Sequence, residues 1–215
     1  MKIKAVVPIK MNSERIPHKS IADLHGKPLC RYLLETLSSI PELDTIVYCS
    51  DEGICSYLPD GIHFFKRNPR LDQFSVRRQE IVLSMLQDID ADVYVYAHVT
   101  TPFLSAESIQ TAIRAIIEEN YDTALGVTEH RTYGWHHGKP VNFDPDDLKR
   151  TQDIAPIYLE RSFFVFKRSV ALKNGSVYGE RIKFLPLSDR EAVDIDYPED
   201  MTHAEFLLKA EETQL

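Results

Sequence analysis

Ile3-Lys-Ala-Val-Val-Pro-Ile-Lys-Met-Asn-Ser-Glu-Arg-Ile-Pro-His-Lys19 decides how this chain is read. The run from Ile3 to Ile9 is apolar but for one lysine, which predicts a buried strand. A basic loop follows at once and carries Lys10, Arg15 and Lys19, with Asn12 and Ser13 between them. A loop directly after a buried strand sits at a carboxyl end of the sheet, where open α/β sheets bind their ligands. Three cations with hydroxyl and amide donors among them suit a triphosphate. An ordinary exposed basic loop is the other reading of the same residues. The G-x-x-x-x-G-K-[ST] spacing is absent, which disfavours a P-loop kinase. Gly26-Lys27-Pro28 then leads into a helix, and Lys27 adds positive charge nearby.

Outward from this loop, short β-rich runs alternate with amphipathic stretches. That alternation predicts a layered α/β domain with a mostly parallel sheet. A helix is expected over Pro28 to Ile40, with Leu29, Leu33, Leu37 and Ile40 on one face. A strand is expected over Thr45 to Ser50. Ser75 is expected to cap a helix that turns Ile81, Val82, Met85 and Ile89 inward. A Val/Tyr-rich strand is expected over Asp92 to Val99. Ser105 is expected to cap a helix whose face is Ile109, Ala112, Ile113 and Ile116, and a strand follows over Asp122 to Val127. From Glu129 to Arg161 glycines, prolines and charges replace any sustained period, and this stretch is expected to form a small inserted lobe of loops and short strands. Strands are expected again over Ser162 to Lys167 and Lys183 to Leu187. Pro198, Glu199 and Asp200 suit the first turn of a last helix. The 215 residues fit one such domain, 1–215, with its lobe at about 129–161.

The net charge of −8 argues against nucleic acid or a membrane surface as partner. Yet five Lys/Arg and only two acids lie between Lys10 and Arg31, whereas nine acids and two bases lie between Asp189 and Leu215. A basic segment near the start of an acidic chain is a place to hold a small anion. No run approaches the ~20 apolar residues that span a bilayer. The N-terminal apolar stretch is too short for a signal peptide, so the cytoplasm is the expected compartment. Three cysteines, Cys30, Cys49 and Cys55, match no zinc spacing and fit reduced thiols.

Near the other end stands Val193-Asp-Ile-Asp-Tyr-Pro-Glu-Asp200. In an extended segment Asp194 and Asp196 point to one side. Two adjacent carboxylates repel unless a cation lies between them, and Mg2+ accepts one or two carboxylates beside water and phosphate oxygens. Alternatively Asp196 merely precedes a helix and Asp194 is a surface acid. Adjacent His136 and His137, without a third ligand at suitable spacing, read as surface residues.

PIKMNSERIPHKS, HGKPLCRYLLETL and AVDIDYPEDMTHAEFLL together resemble the CMP-sugar synthetases, the acylneuraminate cytidylyltransferases and their octulosonate-activating relatives. Ser13, Arg15, Pro17, Lys19, Gly26, Lys27, Pro28 and Leu29 match the opening pattern. Lys10 stands where the family usually has arginine. The resemblance implies a Rossmann-like, three-layer nucleotidyltransferase fold. It implies that the loop wraps the triphosphate of CTP, with Lys10, Ser13, Arg15, Lys19 and Lys27 as binding candidates. It also implies that Asp194 and Asp196 hold a catalytic Mg2+, with Arg15 and Lys19 as their catalytic partners. Phe65-Lys-Arg-Asn-Pro-Arg-Leu71 resembles a segment whose arginine, here Arg67, lies near the cytidine. Ala97-His-Val-Thr-Thr-Pro102 resembles L-Q-P-T-S-P. Thr100 and Thr101 fit that pattern, His98 replaces glutamine, and Leu104 replaces a common arginine. Arg150-Thr-Gln-Asp-Ile-Ala-Pro-Ile-Tyr158 resembles R-Q-D-L-P-x-x-Y, and Arg161 stands in a segment that has lost its usual Asn-Gly. There Arg150, Gln152 and Arg161 are candidates for the carboxylate of an acidic sugar acceptor, and plain surface or interface roles fit them as well. The family further implies a homodimer, with contacts near the inserted lobe. The activity implied is transfer of CMP from CTP to a 2-keto-3-deoxy sugar acid, with loss of pyrophosphate. A same-fold enzyme for another small acid, or an inactive nucleotide-binding protein, are the alternatives.

Overall fold

The computed structural model describes residues 1–213. In chain order its elements are β1 (Ile3–Ile9), β2 (Asp23–Leu24), β3 (Lys27–Pro28), α1 (Leu29–Ser38), β4 (Asp44–Cys49), β5 (His63–Lys66), α2 (Arg78–Asp88), β6 (Val93–Ala97), α3 (Ala106–Ile117), β7 (Thr123–His130), β8 (Trp135–His136), β9 (Lys139–Pro140), β10 (Ile157–Lys167), α4 (Arg168–Asn174), β11 (Ile182–Pro186) and α5 (Pro198–Glu212). Seven strands form one sheet in the order β11-β7-β10-β6-β1-β4-β5. The pairs β6-β1, β1-β4, β4-β5 and β7-β11 are parallel, and β10 runs antiparallel to both β6 and β7.

The unbroken apolar run of β1 follows from cover on both faces. Ala5, Val7 and Ile9 join Leu33, Leu37, Ile109 and Ile113 in a core that α1 and α3 close from one side. Val6 joins Tyr48, Tyr94, Tyr96, Val82, Met85 and Phe166 under α2 and α4 on the other. This is the three-layer, mostly parallel α/β arrangement expected. The β1, β4, β6, β7 and β11 assignments agree with the sequence reading within a few residues, as do α1, α3 and α5.

Three details differ. Helix α2 begins at Arg78 behind Arg77, not at a Ser75 cap; the backbone N–H of Arg77 donates to Glu80 at 3.1 Å, which closes the first turn from within. Strand β5 and helix α4 went unrecognised because each is short, and β5 (HFFK) lies at an exposed edge with no fully buried residue. The strand at Ser162 begins earlier, at Ile157, and pairs with the end of β7. Strands β7 and β10 thus run into the 129–161 stretch, and β8 pairs with β9 between them. Ser105 does cap α3, accepting from the N–H of Ser108 at 3.1 Å.

A third, smaller core positions the C-terminal carboxylates. Val193 and Ile195 are buried with Leu24, Leu29, Phe103 and Ala204, where α5 packs against the start of α1. With alternate residues committed to this core, Asp194 and Asp196 are turned the other way. Asp200 completes the corner, its carboxylate accepting from the N–H groups of Asp196 and Tyr197, both at 2.8 Å.

The connection before this corner is held by Glu191. Its carboxylate accepts from Ser105 Oγ (2.6 Å) and N (3.2 Å) and from Ser188 Oγ (2.8 Å) and N (3.2 Å). Burial pushes the carboxyl pKa up, but the hydrogen bonds from Ser105, Ser108 and Ser188 outweigh this and hold it at about 2. A folded-state pKa below the ordinary 4.5 contributes stability that is complete above that value and is lost as pH falls from there toward about 2. Glu191→Gln should therefore melt below the wild type at neutral pH. Thermal melts from pH 7 to pH 3 should show that gap narrowing below about pH 4.

Candidate functional site

The carboxyl ends of β1 and β6 open into one cleft of about 420 Å³. Lys10, Ser13, Arg15 and Lys19 line it from the loop after β1, and His98 and Thr100 from the loop after β6. Arg67 contributes from beyond β5, and Asp194 and Asp196 from the segment before α5. Residues nearly 180 positions apart thus face one space.

The basic loop is fixed at both ends. Ser20 Oγ donates to the carbonyl of Lys10 at 3.3 Å, and Ile16 packs on the small core beside Leu24 and Ile195. Lys19 is only 9% exposed. Its ammonium donates to the carbonyl of Ile195 at 2.8 Å and to Asp196 Oδ1 at 3.1 Å. Arg15 donates to the same carboxylate oxygen at 2.7 Å and its guanidinium lies 4.9 Å from the ring centre of Tyr197. Lys10 instead sits 3.7 Å above the ring of Phe74, an exposed aromatic on the opposite rim. A buried cation must be paired, and Lys19 satisfies that condition through Asp196.

Asp194 is different. Its Oδ2 accepts from Ser162 Oγ at 2.8 Å, while its Oδ1 is buried with no partner among the described residues. A buried carboxylate oxygen left bare is costly unless a cation or donor arrives. Two carboxylates lining one cleft, one of them with this free oxygen, suit the few protein ligands that Mg2+ takes. No cluster of three or more His, Cys, Asp or Glu suited to a metal occurs among the described residues. That rules against an all-protein cage of the zinc type there and leaves the Mg2+ pattern intact.

Arg67 is 3% exposed and bonds Asp72 through Nη2 at 2.5 Å, yet its Nε and Nη1 are buried with no partners among the described residues. Leu71, Val76 and Ile81 line the same end of the cleft. Apolar walls with unspent planar donors are what a heterocyclic base requires. His98 is partly buried, its backbone N–H donates to the carbonyl of Ser162 at 3.2 Å, and its ring meets Tyr96 edge-on. Burial lowers its pKa to about 4 against the opposing pull of Asp194, so the imidazole is neutral near pH 7.

Five predicted residues stand outside this cleft. Lys27 pairs with Glu35 at 2.8 Å and lies over Tyr32, so its charge is spent on α1. Thr101 is buried and its hydroxyl donates to the carbonyl of His98 at 2.8 Å, which shapes the loop rather than the surface. Arg150 is exposed and bonds Asp153, and Gln152 is exposed beside it. Arg161 lines a neighbouring cavity of about 260 Å³ with Thr128, His130 and His203, and this cavity touches the cleft at Asp194.

Ser162, Asp72, Phe74 and Tyr197 are site residues that sequence reasoning missed. The bulge in β10 between Glu160 and Phe164 re-aims Ser162 toward Asp194. Nothing in a strand-like SFFVFK marks that turn. Asp72 lies five residues after Arg67, one position past the Phe65–Leu71 segment singled out above.

The fold and its neighbours define the class. CMP:2-keto-3-deoxy-manno-octonic acid synthetase, solved in complex with CTP, superposes with a TM-score of 0.74 at 14% identity over 98% of this chain and 100% of that one. 4-Diphosphocytidyl-2C-methyl-D-erythritol synthase from Anaerococcus prevotii superposes with a TM-score of 0.67 at 14% identity, covering 96% and 98%. At that identity the likeness shows the fold alone, a Rossmann-like α/β sheet. Residues 4–215 match the family profile described as Cytidylyltransferase. This chain belongs to the cytidylyltransferase family. It is 27% identical over 225 residues to pseudaminic acid cytidylyltransferase of Campylobacter jejuni, with 97% of each covered. It is 24% identical over 214 residues to N-acylneuraminate cytidylyltransferase A of Danio rerio, covering 94% of this chain and 50% of that protein. The chain therefore spans about half the length of the zebrafish relative.

Proposed function

We propose that this chain transfers CMP from CTP to a 2-keto-3-deoxy sugar acid of the nonulosonic type, releasing pyrophosphate. The observation that carries this reading is the meeting of Lys19 and Arg15 with Asp196, beside the bare oxygen of Asp194, in one cleft. The two relatives, both named for sugar-acid cytidylyltransfer, support the acceptor class.

In this reading the triphosphate lies along Lys10, Ser13, Arg15 and Lys19, and the base lies against Leu71, Val76 and the free edge of Arg67. The anomeric hydroxyl oxygen of the acceptor bonds to the α-phosphorus as the bond to the bridging oxygen of pyrophosphate breaks, and the hydroxyl proton is released to solvent. Asp194 and Asp196 would hold Mg2+, which when bound neutralises phosphate charge and acidifies a ligated hydroxyl. Lys19, already fixed by Ile195 and Asp196, and Arg15 neutralise the departing pyrophosphate without reorganising. His98, neutral and beside Asp194, offers a hydrogen bond to the acceptor. Arg161 in the adjoining cavity is the best placed of the three carboxylate candidates, since Arg150 and Gln152 line neither cavity. The acceptor-side residues His98 and Arg161 depart from the usual pattern, which favours an acid other than N-acetylneuraminate as the second reading. A homodimer in the cytoplasm completes the proposal. Trp135, Leu148 and Leu159 are large exposed apolar residues on and around the lobe, as a subunit contact would need.

The test is pyrophosphate release from each of the four NTPs against a panel of nonulosonic and octulosonic acids with Mg2+. CTP with at least one acid should turn over, and chelation by EDTA should stop it. Release from no NTP with any acid would end the enzymatic reading. Arg67→Ala should raise KM for CTP about 10- to 100-fold, the value of losing charged hydrogen bonds in a desolvated pocket, with kcat less affected. Steady-state kinetics at saturating acceptor checks this.

A further inference from the structure

We propose that Glu191 is a positioning residue that holds Asp194 and Asp196 in register with the loop after β6. This rests on the reading of those two aspartates as the metal-holding pair.

The two aspartates ride on the connection between β11 and α5, residues 187–197, which has no regular structure to hold it. Three ties fix it. Asp200 caps the corner behind Asp196. The N–H of Ile195 donates to the carbonyl of Thr100 at 2.8 Å. Glu191 adds a polar tie to the cap of α3, beside the apolar packing of Leu187 and Ala192 in the core that α3 covers. One oxygen takes the hydroxyl and N–H of Ser105, and the other takes the hydroxyl and N–H of Ser188.

Ser105 ends the loop that begins at His98 and is itself the cap of α3. The Glu191 carboxylate therefore joins the 98–105 loop to the 188–196 loop at the positive end of a twelve-residue helix. His98 and Thr100 line the cleft from the first loop, and Asp194 and Asp196 from the second. The separation between the two walls is set where the two loops are bound together. Glu191 itself does not line the cleft, so it acts through the aspartates. Partners that orient metal-holding carboxylates typically matter by about 10- to 100-fold in metal affinity or rate.

Two readouts test this on the intact chain. The first is amide hydrogen exchange at Ile195 in the nucleotide-free protein. Glu191→Ala should speed it about tenfold or more while amides of β6 keep wild-type rates. The second is Mn2+ affinity in the presence of CTP, followed by electron paramagnetic resonance. It should weaken by about 10- to 100-fold, while calorimetric affinity for CTP with EDTA changes by less than about twofold. Glu191→Gln, which keeps an acceptor for Ser105, should recover most of both.

Wild-type exchange at Ile195 together with wild-type Mn2+ affinity in folded Glu191→Ala would overturn the proposal. If that variant fails to fold, Ser188→Ala removes one donor and should move both readouts the same way by a smaller factor. No movement there overturns it equally. Should the wild-type chain bind neither CTP nor Mn2+, the cytidylyl reading itself fails, and the exchange at Ile195 still decides what Glu191 holds in place.

Discussion

Asp196→Ala should lower turnover about a thousandfold, on the order of 4 kcal/mol of transition-state stabilisation, while the protein melts within a few degrees of wild type. The asymmetry follows from where this side chain stands. It is 41% exposed, so its pair with the half-exposed Arg15 is screened and contributes little to folding, whereas Lys19 loses its counter-charge but keeps the carbonyl of Ile195 as acceptor, which limits the loss of stability to a modest one. Ile195, fully buried next to it, keeps the segment in place without the carboxylate. The proposed chemistry has no substitute for Asp196, because metal, Lys19 and Arg15 all converge on it. Pyrophosphate release measured beside a thermal melt separates the two effects. Asp194→Asn is the companion: it keeps an acceptor for Ser162 and removes only charge, and its loss of rate should be of similar order.

Lys19→Ala should cost about 100- to 1000-fold in kcat and, unlike the aspartate change, should also lower the melting temperature. Lys19 is nearly enclosed, and its removal leaves the carbonyl of Ile195 without its donor. A buried carbonyl left unsatisfied costs about 1–3 kcal/mol. Lys10→Ala gives the contrast. Its ammonium rests on the exposed Phe74 ring and binds no carboxylate among the described residues, so KM for CTP should rise only a few-fold with stability unchanged. Comparable losses of rate at Lys10 and Lys19 would mean that burial and pairing do not rank these cations as argued.

The parts of the site that sequence made visible are those whose physics is local. Strand β1 is apolar throughout because both faces are covered, and the loop after it must then lie at the sheet's carboxyl edge. Asp194 and Asp196 share a side because Val193 and Ile195 are apolar and buried, a period-two pattern visible before any fold is known. What stayed hidden depends on pairs far apart in the chain. Lys27 reads as one more phosphate cation, but Glu35, six residues into α1, takes its charge. Thr101 matches the pattern of the loop after β6, but its hydroxyl turns back onto the carbonyl of His98. Arg150, Gln152 and Arg161 look alike in a polar stretch, and only the folded chain separates two outward residues from one beside Asp194. The Glu191 clamp spans 86 positions to Ser105, and nothing in either local segment announces it.

The most direct test of the account is a crystal structure of the chain soaked with CTP and Mg2+. The account predicts the triphosphate along Lys10, Ser13, Arg15 and Lys19, cytosine against Arg67, and a metal between the α-phosphate and the oxygens of Asp194 and Asp196. A nucleotide bound elsewhere, or one seated here with no metal on either aspartate, would contradict it.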